Sequence, residues 1–182
     1  QDPELRNQCL LKKYHLTEED KKQTLFNQLL AGLPEAARPA LSIQYRMVDP
    51  IGKMISRCFY GNRLESRRPK LDQDLISPFP KPVTWFSTSQ IPNRFERRIG
   101  GSYANPCETQ IITALLGRVQ FFASRKKRKY SVAVLTGYNG QKRAFEYAFA
   151  TEKSRWDGIA DLQVNTVDAF QGREADVVVF SV

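Results

Sequence analysis

The segment Val164-Asn-Thr-Val-Asp-Ala-Phe-Gln-Gly-Arg-Glu-Ala-Asp-Val-Val-Val-Phe-Ser-Val182 constrains the fold more than any other part of the chain. It reads as the end of one strand, a compact polar turn and a second strand. Val177 to Val182 is a near-continuous apolar run, as expected when both faces of a sheet are covered. Between the strands, Thr166, Asp168, Gln171, Arg173 and Glu174 crowd around the single Gly172. A connection that only links strands needs glycine, proline or asparagine, not a row of hydrogen-bonding side chains. The turn is therefore a candidate site, with a polar surface loop as the plain alternative.

The pattern upstream alternates strands with helices. Thr17-Glu-Glu-Asp20 is a capping-box variant, and Leu25, Phe26, Leu29 and Leu30 follow at helical spacing until Gly32 and Pro34 end the helix. Leu41 to Tyr45 is a short strand. Asp49 reads as an N-cap before Pro50, with Ile51, Met54, Ile55, Cys58 and Phe59 on the buried face and Gly61 at the end. Residues 61–82 read as a loop, Val83 to Ser87 as a strand, and 88–104 as a second, basic loop. Asn105-Pro106-Cys-Glu108 caps a long helix with Ile111, Ile112, Leu115, Leu116, Val119 and Phe122 on its apolar face. Ser131 to Thr136 is a buried strand. Gly137-Tyr-Asn-Gly140 turns into a helix carrying Phe145, Tyr147, Ala148 and Phe149, and Leu162 to Thr166 precedes the last turn. The expectation is an α/β domain with a mainly parallel sheet and helices on both faces.

The 182 residues carry a net charge of +9, concentrated in Arg63 to Lys70, Arg94 to Arg98 and Arg125 to Lys129. Such patches attract polyanions, nucleic acid first, although each alone also fits a solvated surface. Cations at 125–129 are also favoured by the dipole of the helix that ends there. Cys9, Cys58 and Cys107 are too far apart for a zinc knuckle and odd in number, which points to a reducing compartment. His15 is the only histidine, which argues against a histidine triad and leaves no predicted metal site. No apolar run approaches the roughly 20 residues that cross a bilayer. An intracellular protein, cytoplasmic or nuclear and without a membrane partner, is expected.

In open parallel sheets, ligands bind beyond the carboxyl ends of the strands. Gln44-Tyr45-Arg46, Thr136 to Gln141 and Thr166 to Glu174 all fall at such ends. Arg46 could deliver a bidentate guanidinium to a phosphate or join a salt bridge, and Tyr45 could offer its ring to a purine or simply pack. The chain contains no Gly-x-x-x-x-Gly-Lys-[Ser/Thr] phosphate loop and no strand-terminal Asp-Glu pair. Any nucleotide it handles is contacted from across a cleft.

Gln44-Tyr-Arg-Met47 followed by Pro50-Ile51, Phe59-Tyr60 and Leu64 resembles the QYRM segment of superfamily-1 helicases of the nonsense-mediated-decay RNA helicase group. Leu135-Thr-Gly-Tyr-Asn-Gly-Gln141 is similar to their motif IV, with Gly137 where proline is usual, and Val164 to Glu174 to their motif V. The resemblance implies a second RecA-like domain over residues 41–182, with 1–40 as a linker and helical lead-in. The phosphate loop and magnesium carboxylates would then belong to a first RecA-like domain of the same polypeptide.

By that resemblance Tyr45, Arg46, Gln171 and Glu174 contact ATP, with Arg46 catalytic at the γ-phosphate. Thr136, Tyr138, Asn139, Gln141 and Thr166 line a channel for single-stranded DNA or RNA, to which the charge reading adds Arg94, Arg97 and Arg98. ATP and Mg2+ are expected in the full-length protein and neither stably on this chain alone. Val48-Asp49-Pro50 departs from the family's His-Pro. Motif VI is not found, so a truncated and, in isolation, inactive piece of a helicase is expected. The alternatives are a nucleic-acid-binding module without a motor, or a helicase-like scaffold.

Overall fold

Parallel pairing of Tyr130–Thr136 (β5) with both of its neighbours organises the better packed part of the molecule. The structure, a computed structural model, describes residue 13 and residues 25–68, 78–151 and 155–182. The predicted cap at Thr17–Asp20 lies outside the described residues. The chain divides into two units, Gln1–Arg68 and Pro69–Val182.

In the first unit, α1 (Leu25–Gly32) is stopped by Pro34, and a short 3-10 turn follows at Glu35–Ala37. Its predicted apolar residues Phe26, Leu29 and Leu30 are exposed among the described residues. The expected strand at 41–45 shrinks to β1 (Ile43–Gln44), which pairs in parallel with β2 (Glu65–Ser66) across helix α2 (Asp49–Phe59). Asp49 is the first helical residue, and Val48 occupies the cap position. The helix buries Gly52 and Ser56 and half-buries Ile51 and Ile55, whereas Met54, Cys58 and Phe59 are exposed. The predicted face was wrong because the helix lies close on β1 and β2, and only small residues allow that approach.

The second unit is the α/β layer foreseen from sequence. Its sheet runs in the order β6 (Ile159–Thr166), β5, β7 (Val177–Ser181), all parallel. Helix α3 (Pro106–Lys126) starts at Asn105, whose carbonyl Oδ1 accepts from the Cys107 and Glu108 N–H groups at 3.1 and 3.3 Å. It ends on Lys127 in the left-handed region. Its buried stripe is Ile112, Leu116, Val119 and Ala123. Helix α4 (Asn139–Ala150) buries Gln141, Phe145 and Phe149 at every fourth position, while Tyr147 faces solvent. These stripes meet Val132 and Val134 of β5, and Leu162 and Val164 of β6 pack on the same core. Each large side chain fully buried there contributes about 1.5–3 kcal/mol.

The β6–β7 connection returns along the strands. Arg173 donates to Gln163 Oε1 at 3.1 Å, and at the start of β5 the Ser131 N–H and hydroxyl both donate to Asp176. Strand β7 does not have the two covered faces expected of it. Val178, Phe180 and Val182 are exposed because they alternate away from the core.

Two further expectations fail. Val83 to Ser87 forms no strand, and Trp85 there is 79% exposed. Strand propensity needs a neighbouring ladder, and none of the described strands pairs with this stretch. The predicted loop 88–104 contains a hairpin, β3 (Arg97–Ile99) with antiparallel β4 (Ser102–Ala104). Gly100, at φ +60°, and Gly101 make its two-residue turn. No helix among the described residues is long and apolar enough to cross a membrane.

Candidate functional site

The loop beyond β1 is held open by one side chain. Gln44 Oε1 accepts from the Met47 N–H at 2.6 Å, and its Nε2 donates to the Met47 carbonyl at 2.9 Å and to Ser66 Oγ at 2.7 Å. A glutamine amide thus replaces two rungs of a ladder, fixing Tyr45 and Arg46 at the apex. Tyr45 is 64% exposed and Arg46 is exposed. Arg68 secures the Arg46 carbonyl through Nη1. The sequence reading named Tyr45 and Arg46 but gave Gln44 no role, although it opens the motif.

Gly52 makes this arrangement possible. A Cβ at this position would lie 1.9 Å from Ser66 Oγ and 2.7 Å from Gln44 Nε2. Beside the loop, Arg67 forks onto Glu65 at 2.9 and 3.3 Å. That hydrogen bonding, and secondarily the Coulombic attraction, holds the Glu65 carboxyl below its usual range. The same Glu65 hydrogen bond and charge raise the Arg67 guanidinium above its ordinary value.

In the second unit, Thr136 and Thr166 end β5 and β6 side by side, and the Val167 N–H bonds the Thr136 carbonyl at 3.3 Å. Thr136 is buried and its hydroxyl accepts from the Tyr138 N–H at 3.3 Å, so it shapes the turn rather than facing a ligand. Gln141 is 2% exposed. Its Oε1 accepts from the Asn105 N–H and its Nε2 donates to Thr109 Oγ1 at 3.3 Å. We therefore correct the sequence expectation: Gln141 ties motif IV to the start of α3 and has no free edge for nucleic acid.

Tyr138 and Asn139 are exposed. The Gly140 N–H donates to Ser102 Oγ at 2.9 Å, and a Cβ on Gly140 would lie 2.6 Å from the Tyr103 carbonyl oxygen. Glycine there lets the hairpin lie against the start of α4. Tyr103 then meets Tyr138 edge-on, with ring centroids 5.5 Å apart, and Arg98 sits opposite Tyr103 across the hairpin. Directly opposed residues share a face of the pair. Two aromatic rings thus meet at the carboxyl end of β5, and in the adjoining hairpin the exposed Arg98 donates to the Gly100 carbonyl at 3.3 Å. Exposed rings and a nearby cation suit stacking bases and neutralising phosphate. Tyr103 was missed, although Gly100-Gly101 between Ile99 and Ser102 carries a hairpin signal. Arg97 is exposed on the same strand, and Arg94 lies over the Phe95 ring at 4.5 Å.

Motif V spreads further than its spacing suggested. Phe170 is buried and anchors a 3-10 turn, Asp168–Phe170, and Gly172 takes φ +81°. Gln171 and Glu174 are exposed. Thr166 and Asp168 stand at the carboxyl edge, but Arg173 reaches mid-strand Gln163 and Asp176 the far end. Of the five polar residues, Arg173 thus turns away from the carboxyl edge.

A family model described as AAA domain matches residues 21–182. The chain is 28% identical over 179 residues to an uncharacterized ATP-dependent helicase of Methanocaldococcus jannaschii, covering 90% of this chain and 24% of that protein. It is 30% identical over 149 residues to a regulator of nonsense transcripts 1 homolog of Neurospora crassa, covering 78% and 13%. It is 26% identical over 190 residues to the DNA polymerase alpha-associated DNA helicase A of Saccharomyces cerevisiae, covering 91% and 26%. The chain thus spans about a quarter or less of these relatives' length. With the parallel α/β sheet and the matched residues together, the chain belongs to the AAA-domain family as a superfamily-1 helicase-like domain.

Proposed function

We propose that residues 41–182 are the second RecA-like motor domain of an ATP-dependent helicase, working with a first RecA-like domain of the same polypeptide inside the cell, in cytoplasm or nucleus. The observation that carries this reading is the Gln44 clamp, which holds an exposed ring and an exposed guanidinium on one short loop. An exposed phenol ring fits a purine face, and a guanidinium fits phosphate oxygens bidentately. Mg2+-bound ATP supplies the phosphoryl group whose transfer to water drives such a motor.

In this reading Tyr45 packs on the base and Arg46 offsets charge on the terminal phosphate as it develops. Gln171 and Glu174 are further nucleotide contacts. The clamp holds the loop backbone from which Arg46 reaches, and a donor that has less to reorganise stabilises a transition state more than a ground state. Tyr138, Asn139, Thr166, Arg94, Arg97 and Arg98 contact single-stranded DNA or RNA, and Tyr103 joins them. An azido-ATP photoprobe on the full-length protein tests the base contact. Label in the peptide bearing Tyr45, lost on competition with ATP and reduced in Tyr45→Ala, supports the reading. ATP-protected label elsewhere, with none in that peptide, refutes it.

A further inference from the structure

Five consecutive cations, Arg125 to Lys129, gather at the end of α3, and all are exposed. The helix dipole accounts for only part of this. It presents roughly half a negative charge, and its influence fades within the last turn. Only Arg125 and Lys126 lie in that turn. The remaining three continue into β5, where their mutual repulsion opposes folding. Among the described residues, Arg125, Lys127, Arg128 and Lys129 form no ion pair with a carboxylate.

Two of them instead lie over rings, that of exposed Phe121 and that of buried Tyr130. Arg125 lies 5.7 Å from the centroid of Phe121, and Arg128 lies 5.4 Å from that of Tyr130. Phe121 is 57% exposed on a helix whose other face is core. The backbone here is fixed. The Lys127 N–H bonds the Ala123 and Ser124 carbonyls, and the Arg128 N–H bonds the Ala123 carbonyl at 3.1 Å. Receptors that read a basic run as an extended peptide would have to unwind this cap. A phosphate backbone needs only the side chains.

We propose that Arg125 to Lys129, with Phe121, form a second binding surface for single-stranded nucleic acid. It is distinct from the Arg98–Tyr103–Tyr138 edge, which lies at the opposite end of β5. At about 3.3 Å per residue, the seven residues of β5 separate the two edges by roughly 20 Å. The inference rests on charge, ring exposure and backbone geometry, independently of any nucleotide contact.

The test is a titration of labelled dT30 with the chain, without ATP, between about 50 and 200 mM salt. R125E/K127E/K129E should flatten the log–log salt slope by about 0.7 for each phosphate that is no longer neutralised, and R94E/R97E/R98E should do so separately. The two effects should add when combined. Phe121→Ala should weaken dT30 binding about fivefold or more while leaving polyphosphate binding unchanged. Melting curves establish the fold of each variant, and R125Q/K127Q/K129Q replaces the charge reversal if that variant unfolds. Wild-type slope and affinity in the folded triple variant would overturn the proposal. So would equal losses of dT30 and polyphosphate binding in Phe121→Ala. Capture by an extended-peptide receptor without any effect on dT30 would likewise assign the run to that receptor.

Discussion

Gly52→Ala puts the loop architecture to the test through a single methyl group. At an open helical position this change gains about 0.5–1 kcal/mol. At position 52 the added carbon would meet Ser66 Oγ at 1.9 Å and Gln44 Nε2 at 2.7 Å, well inside any tolerated contact. Ser66 has little freedom to yield, since its hydroxyl accepts from Gln44. Either α2 lifts from the two strands or the clamp opens. Overpacking costs about 1–3 kcal/mol and breaking a hydrogen bond about 0.5–1.5. Set against the helix gain, the net expectation is destabilisation by about 1–3 kcal/mol. For a chain of this length that is a fall of roughly 2–12 °C in melting temperature.

Removing the obstructing hydroxyl should relieve the clash, so Gly52→Ala/Ser66→Ala should cost less than the sum of the single changes. A double-mutant cycle by urea denaturation would give the coupling, expected at about 1 kcal/mol or more. A Gly52→Ala protein as stable as wild type, or additive single changes, would refute the close approach and with it the geometry of the Tyr45–Arg46 loop.

The complementary case is Gly117 in α3, where an added Cβ meets nothing within 4 Å. Gly117→Ala should therefore stabilise by about 0.5–1 kcal/mol in the same denaturation assay. Gln141→Leu removes the acceptor of the buried Asn105 N–H and a donor to Thr109, and should cost about 1–3 kcal/mol. A stability loss below about 0.5 kcal/mol would return Gln141 to the surface role that its motif first suggested.

The sequence was most legible where apolar runs fixed the elements. β5, α3 and the end of β6 are marked by valine-rich stretches and an Asn-Pro cap, and those signals survive because they act locally. The face of α2 was misread because its buried residues are Gly52 and Ser56. Apolar periodicity cannot register a helix chosen for closeness rather than hydrophobicity. Arg97-Arg98-Ile99 hid a strand, since both arginines face water and only the Gly-Gly turn marked the hairpin. Val83 to Ser87 looked like a strand from composition alone, yet a strand exists only with a partner. At the site, Tyr45 and Arg46 were found by motif. Which amides point inward, as those of Gln44 and Gln141 do, depends on contacts across 22 and 36 residues that spacing does not encode.

The most direct measurement of the central claim is the steady-state kinetics of Arg46→Ala in the full-length protein, with nucleotide affinity measured in parallel. If the Gln44 loop presents Arg46 to the transferring phosphoryl group, kcat should fall by about a hundredfold or more while ATP binding weakens only moderately. A near-normal kcat, or a loss confined to KM, would contradict the account and leave Arg46 with a structural role alone.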